Sequence, residues 1–399
     1  MFAALRRPQY RLFWTAQLIS VVGMTMEWVA VAWLVYDLTS SAISLGLTGI
    51  AQTLPRVVFS LIGGALADRM DRRTLVVGCH VLCGVLYVIL ATLKTLGIVE
   101  VWHVMVVASA LGVIRAFEGP GRQALLPHVV SREDIPNAVA LGNVAWEGPR
   151  LFGPALAGIL ISTVGIGPTL YVAATGFVAS STLFALLRIE GVISASGGRG
   201  LLRNVVDGFQ LILRTPLFTA IIGLTFFNSV FGMAYSILLP VFARDILDVG
   251  PQGLGFLVAA SGAGSLSGSL IAAALSRSGG RTWQVFGGAT AFGLVLIAFA
   301  YSPRFELSLA LLVLAGLASI IYMNAMSTVL QLRLADEFRA RVLGVWGLVW
   351  SLMPLGGTLG GAVAEIADAR VAVAAGGFLV ICATAWVFAT MPQLRRLDD

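Results

Sequence analysis

Charge is what this sequence has least of. Only 12% of its 399 residues are Asp, Glu, Lys or Arg, while 58% are hydrophobic, and mean hydropathy is +0.91. A water-soluble globule carries about twice that charged fraction, so a soluble fold is excluded. Histidine and cysteine are as scarce. His80, His103 and His128 are scattered and no metal-ligand spacing occurs, which argues against a metalloenzyme. Cys79, Cys83 and Cys382 form no CxxC and lie in apolar stretches, where cysteine serves as a small packing residue. There is no phosphate-cradling P-loop, so ATP-driven transport by this chain alone is not expected. Charged rings and repeated filter loops, the marks of a channel, are missing too. So is the alternating ten-residue pattern of a membrane β-barrel. Neither metal nor cofactor is expected, and no enzymatic activity.

What the chain does have is apolar runs of helical length, recurring at the size needed to cross a hydrocarbon core of roughly 30 Å. Spans are expected at 12–35, 44–66, 74–96, 102–122, 137–162, 167–188, 217–243, 253–276, 283–302, 306–331, 341–365 and 370–391. On twelve spans both termini share one side. That face holds Arg6, Arg7, Arg11, Arg69, Arg72 and Arg73, and continues through the later loops to Arg395 and Arg396, whereas the other face has only Lys94, Arg244, Arg304 and Arg370. By the positive-inside rule the arginine-rich face is cytoplasmic. The pI near 9.6 therefore reports topology and contact with anionic lipid, not a nucleic-acid partner. Arg6, Arg7 and Arg11 precede an apolar run in the manner of a signal peptide, but no small-residue cleavage site follows and the first helix is expected to be retained. Near-exclusive use of arginine over lysine points to a GC-rich bacterial genome, and the expected location is the inner membrane.

Residues 190–215 are the one long polar interruption. Ser194 to Gly200 reads as a flexible linker, and Leu201 to Phe209 as a short amphipathic helix on the cytoplasmic surface. The expected domains are accordingly 1–189, a linker at 190–215, and 216–399. A weak repeat relates the halves. Trp146-Glu147-Gly148-Pro149-Arg150-Leu151-Phe152-Gly153-Pro154 is echoed about 204 residues later by Trp350 to Gly361, and the charged turn Asp68 to Thr74 is echoed by Leu275 to Thr282 without its acid. Repeated helical halves with a substrate path between them are an architecture of secondary transporters.

Three motifs carry a family resemblance. Gly64-x-Leu66-Ala67-Asp68-Arg69-x-Asp71-Arg72-Arg73 resembles the signature loop between the second and third helices of the major facilitator superfamily, with Asp71 where many members carry glycine. Leu111 to Gly121, with Arg115 and Glu118, is similar to that superfamily's fourth-helix arginine motif. Gly148-Pro149 with Gly153-Pro154-Ala155-Leu156-Ala157-Gly158 is similar to the fifth-helix motif of its antiporters. Flanking patterns from Arg11 to Trp14 and at Pro354 to Gly356 resemble bacterial macrolide-efflux and enterobactin-exporter members. The resemblance implies an all-α membrane fold, two six-helix bundles related by a pseudo-twofold axis, and proton-coupled export of a drug or siderophore by alternating access. Uptake, lipid flipping, or a non-transporting sensor are the alternatives. The expected partners are a small-molecule substrate, protons and membrane lipids, and the expected working unit is a monomer.

Near mid-span the first half carries Glu27, Arg56, Arg115, Glu118, Glu147 and Arg150; the second half holds no charge at matching depth. Ionisable groups there cost roughly 2.5 to 3.5 kcal/mol each on insertion scales, so they should face a cavity or one another. The i,i+3 spacings of Arg115 with Glu118 and of Glu147 with Arg150 allow pairing on one helical face, and Arg56, Glu118 and Arg150 are read as structural ion-pair members. Desolvation disfavours the charged form of a carboxylate and a nearby guanidinium favours it, so a carboxylate exposed to alternating faces can load and release a proton. Glu27 and Glu147 are the candidates, with Arg115 tuning them. Glu27 is read as a proton or cationic-substrate site, or as a tertiary salt bridge with Arg56 or Arg115. Asn228, Tyr235, Tyr322, Asn324 and Gln331 are candidate substrate contacts among aromatics, with helix packing as the competing role. Asp68, Arg69, Arg72 and Arg73 are read as a conformational latch rather than a solvated loop alone.

Overall fold

The computed structural model describes residues 4–67, 70–188, 201–275 and 280–391, and among these there is no strand. In a bilayer every backbone N–H and C=O must be satisfied within the chain, which a helix does locally. Six long helices come first: α1 (Pro8–Thr39), α2 (Ala42–Ala67), α3 (Arg72–Thr95), α4 (Val101–Val129), α5 (Ile135–Val164) and α6 (Ile166–Ala185). The short α7 (Leu201–Arg214) precedes α8 (Pro216–Phe227), α9 (Ala234–Val241), α10 (Gly250–Leu275), α11 (Arg281–Ala300), α12 (Phe305–Arg333), α13 (Asp336–Trp350), α14 (Met353–Ile366) and α15 (Ala369–Thr390).

Eleven helical stretches are long and apolar enough to cross a membrane. The 30-residue α5 falls outside that set because Glu147, Arg150 and the prolines at 136, 149 and 154 thin its apolar run. With α5 added, the helices match the twelve expected spans one to one. Two spans are not the uniform helices expected. The stretch at 217–243 widens into π-helical turns at Asn228–Gly232 and Phe242–Ile246, and the stretch at 341–365 breaks at Ser351 and Leu352. Pro354, one turn beyond Trp350, has no N–H to give to the Trp350 carbonyl, so the α-helical ladder cannot continue unbroken. The side chain of Ser229 supplies a donor instead, lying 3.1 Å from the carbonyl oxygen of Val349 and 3.4 Å from that of Trp350. Of the expected linker, residues 190–200 lie outside the described residues, while α7 forms the expected short helix.

The chain divides into two compact units, Met1–Leu38 with Ile50–Arg199, and Thr39–Gly49 with Gly200–Asp399. In the first, α3 lies against α4 and α6. A buried cluster including Tyr10, Phe13, Ala16, Val76, Leu125, Leu141 and Phe184 closes one end. A row of donors on α1 binds α5: Tyr10 Oη gives to the Ala138 carbonyl at 2.8 Å, Trp14 Nε1 to Leu141 at 2.8 Å and Gln17 Nε2 to Gly142 at 3.2 Å. Their i, i+4, i+7 spacing puts all three on one stripe. Gly165, at φ 93°, turns the chain directly from α5 into α6, a backbone angle at which a Cβ would be strained.

In the second unit α10 lies against α12, and α11 against α12 and α15. Helix association in lipid depends on close backbone approach. A Cβ added to Gly264 would stand 1.9 Å from the Val313 carbonyl oxygen, and one on Gly316 would stand 2.2 Å from that of Ser261. Glycine on both faces is what lets α10 and α12 meet. In this unit the start of α2 is capped by Glu365, which accepts from Ser41 Oγ at 2.5 Å and from the Ile43 N–H at 3.2 Å.

Candidate functional site

Glu27 sits on α1 with 3% of its surface exposed, and its Oε2 accepts from Arg115 Nη2 of α4 at 2.9 Å. The same nitrogen gives its second bond to Tyr87 Oη of α3, at 3.0 Å. Tyr87 has no exposed surface. One guanidinium nitrogen therefore joins three helices of the first unit. Of the two partners open to Glu27 from sequence, Arg115 is the one it takes; Arg56 lies exposed on α2.

The i,i+3 bond expected between Arg115 and Glu118 is not made. Arg115 turns to α1, and Glu118 accepts from Arg122 Nε at 2.8 Å across i,i+4. Arg122 also stacks its guanidinium over the Trp146 ring, 5.4 Å from the centroid, so one interaction ties it to Glu118 and a second to the ring. Glu147 and Arg150 approach to 3.5 Å, with side chains 37% and 55% exposed.

The glycine–proline stretch of α5 lies beside α1. A Cβ on Gly153 would meet Thr25 Oγ1 at 2.1 Å, two residues before Glu27, whereas Gly148 has open space around it. Pro149, Pro154 and Gly158 are buried.

Asp68 and Arg69 of the charged turn, and the basic echo at Arg277, lie outside the described residues. The rest of the turn organises the start of α3. Asp71 is its N-cap, accepting from the Thr74 N–H at 2.8 Å and Thr74 Oγ1 at 2.6 Å. Arg72 Nη1 donates to the Ala124 carbonyl of α4 at 3.3 Å, and Arg73 Nη2 donates to the carbonyl of Ala185, the last residue of α6. A cation on the carbonyl end of a helix complements its dipole. Both described arginines thus bind backbone within their own unit.

The hydroxyl of Thr74, more than any other group, holds the Asp71 carboxyl below its ordinary value of 3.8. A depressed carboxyl stabilises the fold above its unfolded pKa, and that contribution fades as pH falls through the lower folded one. Asp71→Ala is expected to lose about 1 kcal/mol of stability at neutral pH. In detergent melts the gap between variant and parent should close as pH falls below the ordinary carboxylate range; a gap independent of pH would remove the carboxylate from the cap.

In the second unit three of the five polar candidates are sealed in helix packing. Asn228 is fully buried on a π turn, its Nδ2 3.5 Å from Met323 Sδ and its Oδ1 without a partner. Tyr235 Oη shares a 2.8 Å bond with Ser261 Oγ, and Tyr322, 1% exposed, packs against Phe292. Asn324 is half-buried, and exposed Gln331 bonds Ser327 Oγ at 2.9 Å. Sequence reasoning left substrate contact and helix packing both open for all five, because it sees polarity but not which way a helix is rotated. Two participants escaped it altogether, Tyr87 and Arg122. The signal for the first was present, a lone tyrosine in an aliphatic run whose hydroxyl would need a buried partner.

Among the described residues no three His, Cys, Asp or Glu side chains gather as a metal site. His80 is a core residue, its Nδ1 2.8 Å from the Val76 carbonyl oxygen and its ring beside Phe177 and Phe184.

Similarity to known proteins runs the length of the chain. The family described as transmembrane secretion effector matches residues 1–399. The multidrug efflux pump Tap of Mycolicibacterium fortuitum is 28% identical, covering 96% of this chain and 95% of its own. Macrolide efflux protein A of Streptococcus pyogenes is 23% identical, covering 96% of each. The enterobactin exporter EntS of Shigella boydii is 25% identical, covering 98% and 93%. Among solved structures, a bacterial homologue of the human lysosomal transporter Spinster aligns with a TM-score of 0.75 at 16% identity, covering 98% of this chain and 97% of that one. An identity that low speaks for the fold alone.

Proposed function

The chain belongs to the transmembrane secretion effector family of the major facilitator superfamily, and on that footing we propose that it exports amphiphilic small molecules in exchange for protons. It is a multi-pass membrane transporter and not an enzyme. The proposed finer reading is drug or siderophore export across the inner membrane with both termini in the cytoplasm, by a monomer in contact with membrane lipids. The observation that carries the coupling is the 2.9 Å pair of Glu27 and Arg115, a carboxylate buried among membrane helices with one cation as its partner. Ionisable groups are retained at such depth mainly where ions or protons pass. Exchange of the arginine partner for a proton leaves the site neutral in either state. Glu147, half-buried beside Arg150, is the second proton candidate.

Support for the substrate class comes from the multidrug, macrolide and enterobactin relatives and from the aromatic cluster of Phe226, Phe227 and Phe231 on α8 and its π turn. The half-buried Asn324 and exposed Gln331 are the polar groups best placed to serve it; Asn228, Tyr235 and Tyr322 would reach a substrate only if the helices repacked. The turn at Asp68 to Arg73 is read as a latch whose acid moves between partners during the cycle. Proteoliposomes with an imposed pH gradient test these readings together. Ethidium, a macrolide and enterobactin should each be tried, and at least one should move against its own gradient with counterflow of protons. Asp68→Asn should slow that flux while leaving insertion and orientation intact. Flux insensitive to a protonophore would overturn the coupling, and normal flux in the variant would overturn the latch.

A further inference from the structure

Arg115 has two carboxylates to choose from, Glu27 on another helix and Glu118 three residues along its own. Local spacing favours the second, yet the first is taken. Arg122 accounts for part of that outcome by occupying Glu118 at 2.8 Å. It does not account for the direction in which Arg115 points.

Tyr87 supplies the direction. Its ring is wedged on α3 against Phe177, with centroids 5.1 Å apart, and no part of it is exposed. The hydroxyl is therefore a fixed acceptor. Both hydrogens of Arg115 Nη2 are used, one toward Tyr87 Oη at 3.0 Å and one toward Glu27 Oε2 at 2.9 Å. Two acceptors on one planar nitrogen determine its orientation, because rotating the guanidinium away from either bond breaks the other. Phenylalanine would fill the same space and give no such bond.

We infer that Tyr87 is a positioning residue, whose hydroxyl steers Arg115 onto Glu27 and away from Glu118. This deepens the proposed function and rests on its reading of Glu27 as the proton carrier. Tyr87 itself need neither bind substrate nor carry a proton.

Four variants test it in proteoliposomes: Y87F, E27Q, Y87F with E27Q, and Y87F with E118Q. Y87F preserves the ring and removes the acceptor. Its maximal drug-driven proton flux should fall about tenfold, the size expected for one bond to a charged group, with the drug concentration for half-maximal flux unchanged. The midpoint of its pH profile should move by on the order of half a unit or more. Adding E118Q removes the competing carboxylate, so Y87F/E118Q should recover most of the flux. Adding E27Q should cost nothing beyond E27Q alone, since both changes act through one bond. Normal flux and pH profile in Y87F, beside an uncoupled E27Q, would overturn the steering role and leave the proton reading standing. A defective Y87F that E118Q does not rescue would also overturn it, reducing Tyr87 to a packing residue. Normal coupling in E27Q would overturn the proton reading instead. In that case a thermal-stability cycle of Y87F against E27Q in detergent still decides the steering, non-additivity supporting it and additivity overturning it.

Discussion

Glu27→Gln is expected to reduce substrate-driven proton movement to the level of protein-free liposomes while leaving drug binding measurable. Glutamine fills the space of glutamate but replaces the charged bond to Arg115 Nη2 with at most a weak neutral one, so the packing of α1, α3 and α4 is kept and the loss reads on charge rather than folding. What disappears is the carboxylate that the proposed reading makes the proton carrier, while the guanidinium of Arg115 is left in place. Glu147→Gln is expected to be far milder, with less than about a fivefold change, because its pair with Arg150 is long and half exposed and such pairs contribute little. Reconstituted flux with a pH-sensitive dye inside the vesicles measures both. If the two effects come out reversed, the coupling carboxylate lies on α5 and the α1 junction is structural.

The second large effect concerns stability. Gly356→Ala is expected to deplete folded protein severely, by roughly 3 kcal/mol or more. A Cβ at that position would stand 1.7 Å from the Val230 carbonyl oxygen, and what it meets is backbone, which cannot rotate aside. Val230 lies in the π turn at Asn228–Gly232, whose extra residue displaces carbonyls out of the ladder and toward α14. Gly148→Ala, with nothing within 4 Å, is the matched control and should change stability by less than about 0.5 kcal/mol. Fluorescence-detected size-exclusion chromatography after heating compares the two. Equal melting of both variants would mean that α14 yields easily.

The number and order of membrane helices were legible because lipid forces a single solution on the backbone, and long apolar runs announce it. Helix interruptions were only half legible. Pro354 marks the break after α13 in plain sight, whereas the widened turn at Asn228 has no proline in it and depends on packing against α14 and α15. The charges of the candidate site could be listed from sequence but not paired. Spacing along one helix offered Glu118 to Arg115, but the guanidinium pairs instead with a residue 88 positions away, a choice that packing among three helices decides. Asn228, Tyr235 and Tyr322 show the same limit from the other side: polarity was visible, and the face it turns to was not.

The donors of Tyr10, Trp14 and Gln17 have a mechanical consequence. Helices that exchange positions during a transport cycle commonly slip by one turn, about 5.4 Å, past a neighbour. A helix fastened at three successive levels to the carbonyls of another has no such slip available without breaking all three bonds at once. Glu27, ten residues beyond Gln17 on α1, is then carried as cargo on a rigid two-helix splint with α5. Glu27 then changes its surroundings only when both helices swing together, and Gly153, whose lack of a Cβ makes room for Thr25 Oγ1, keeps α1 and α5 close beside it.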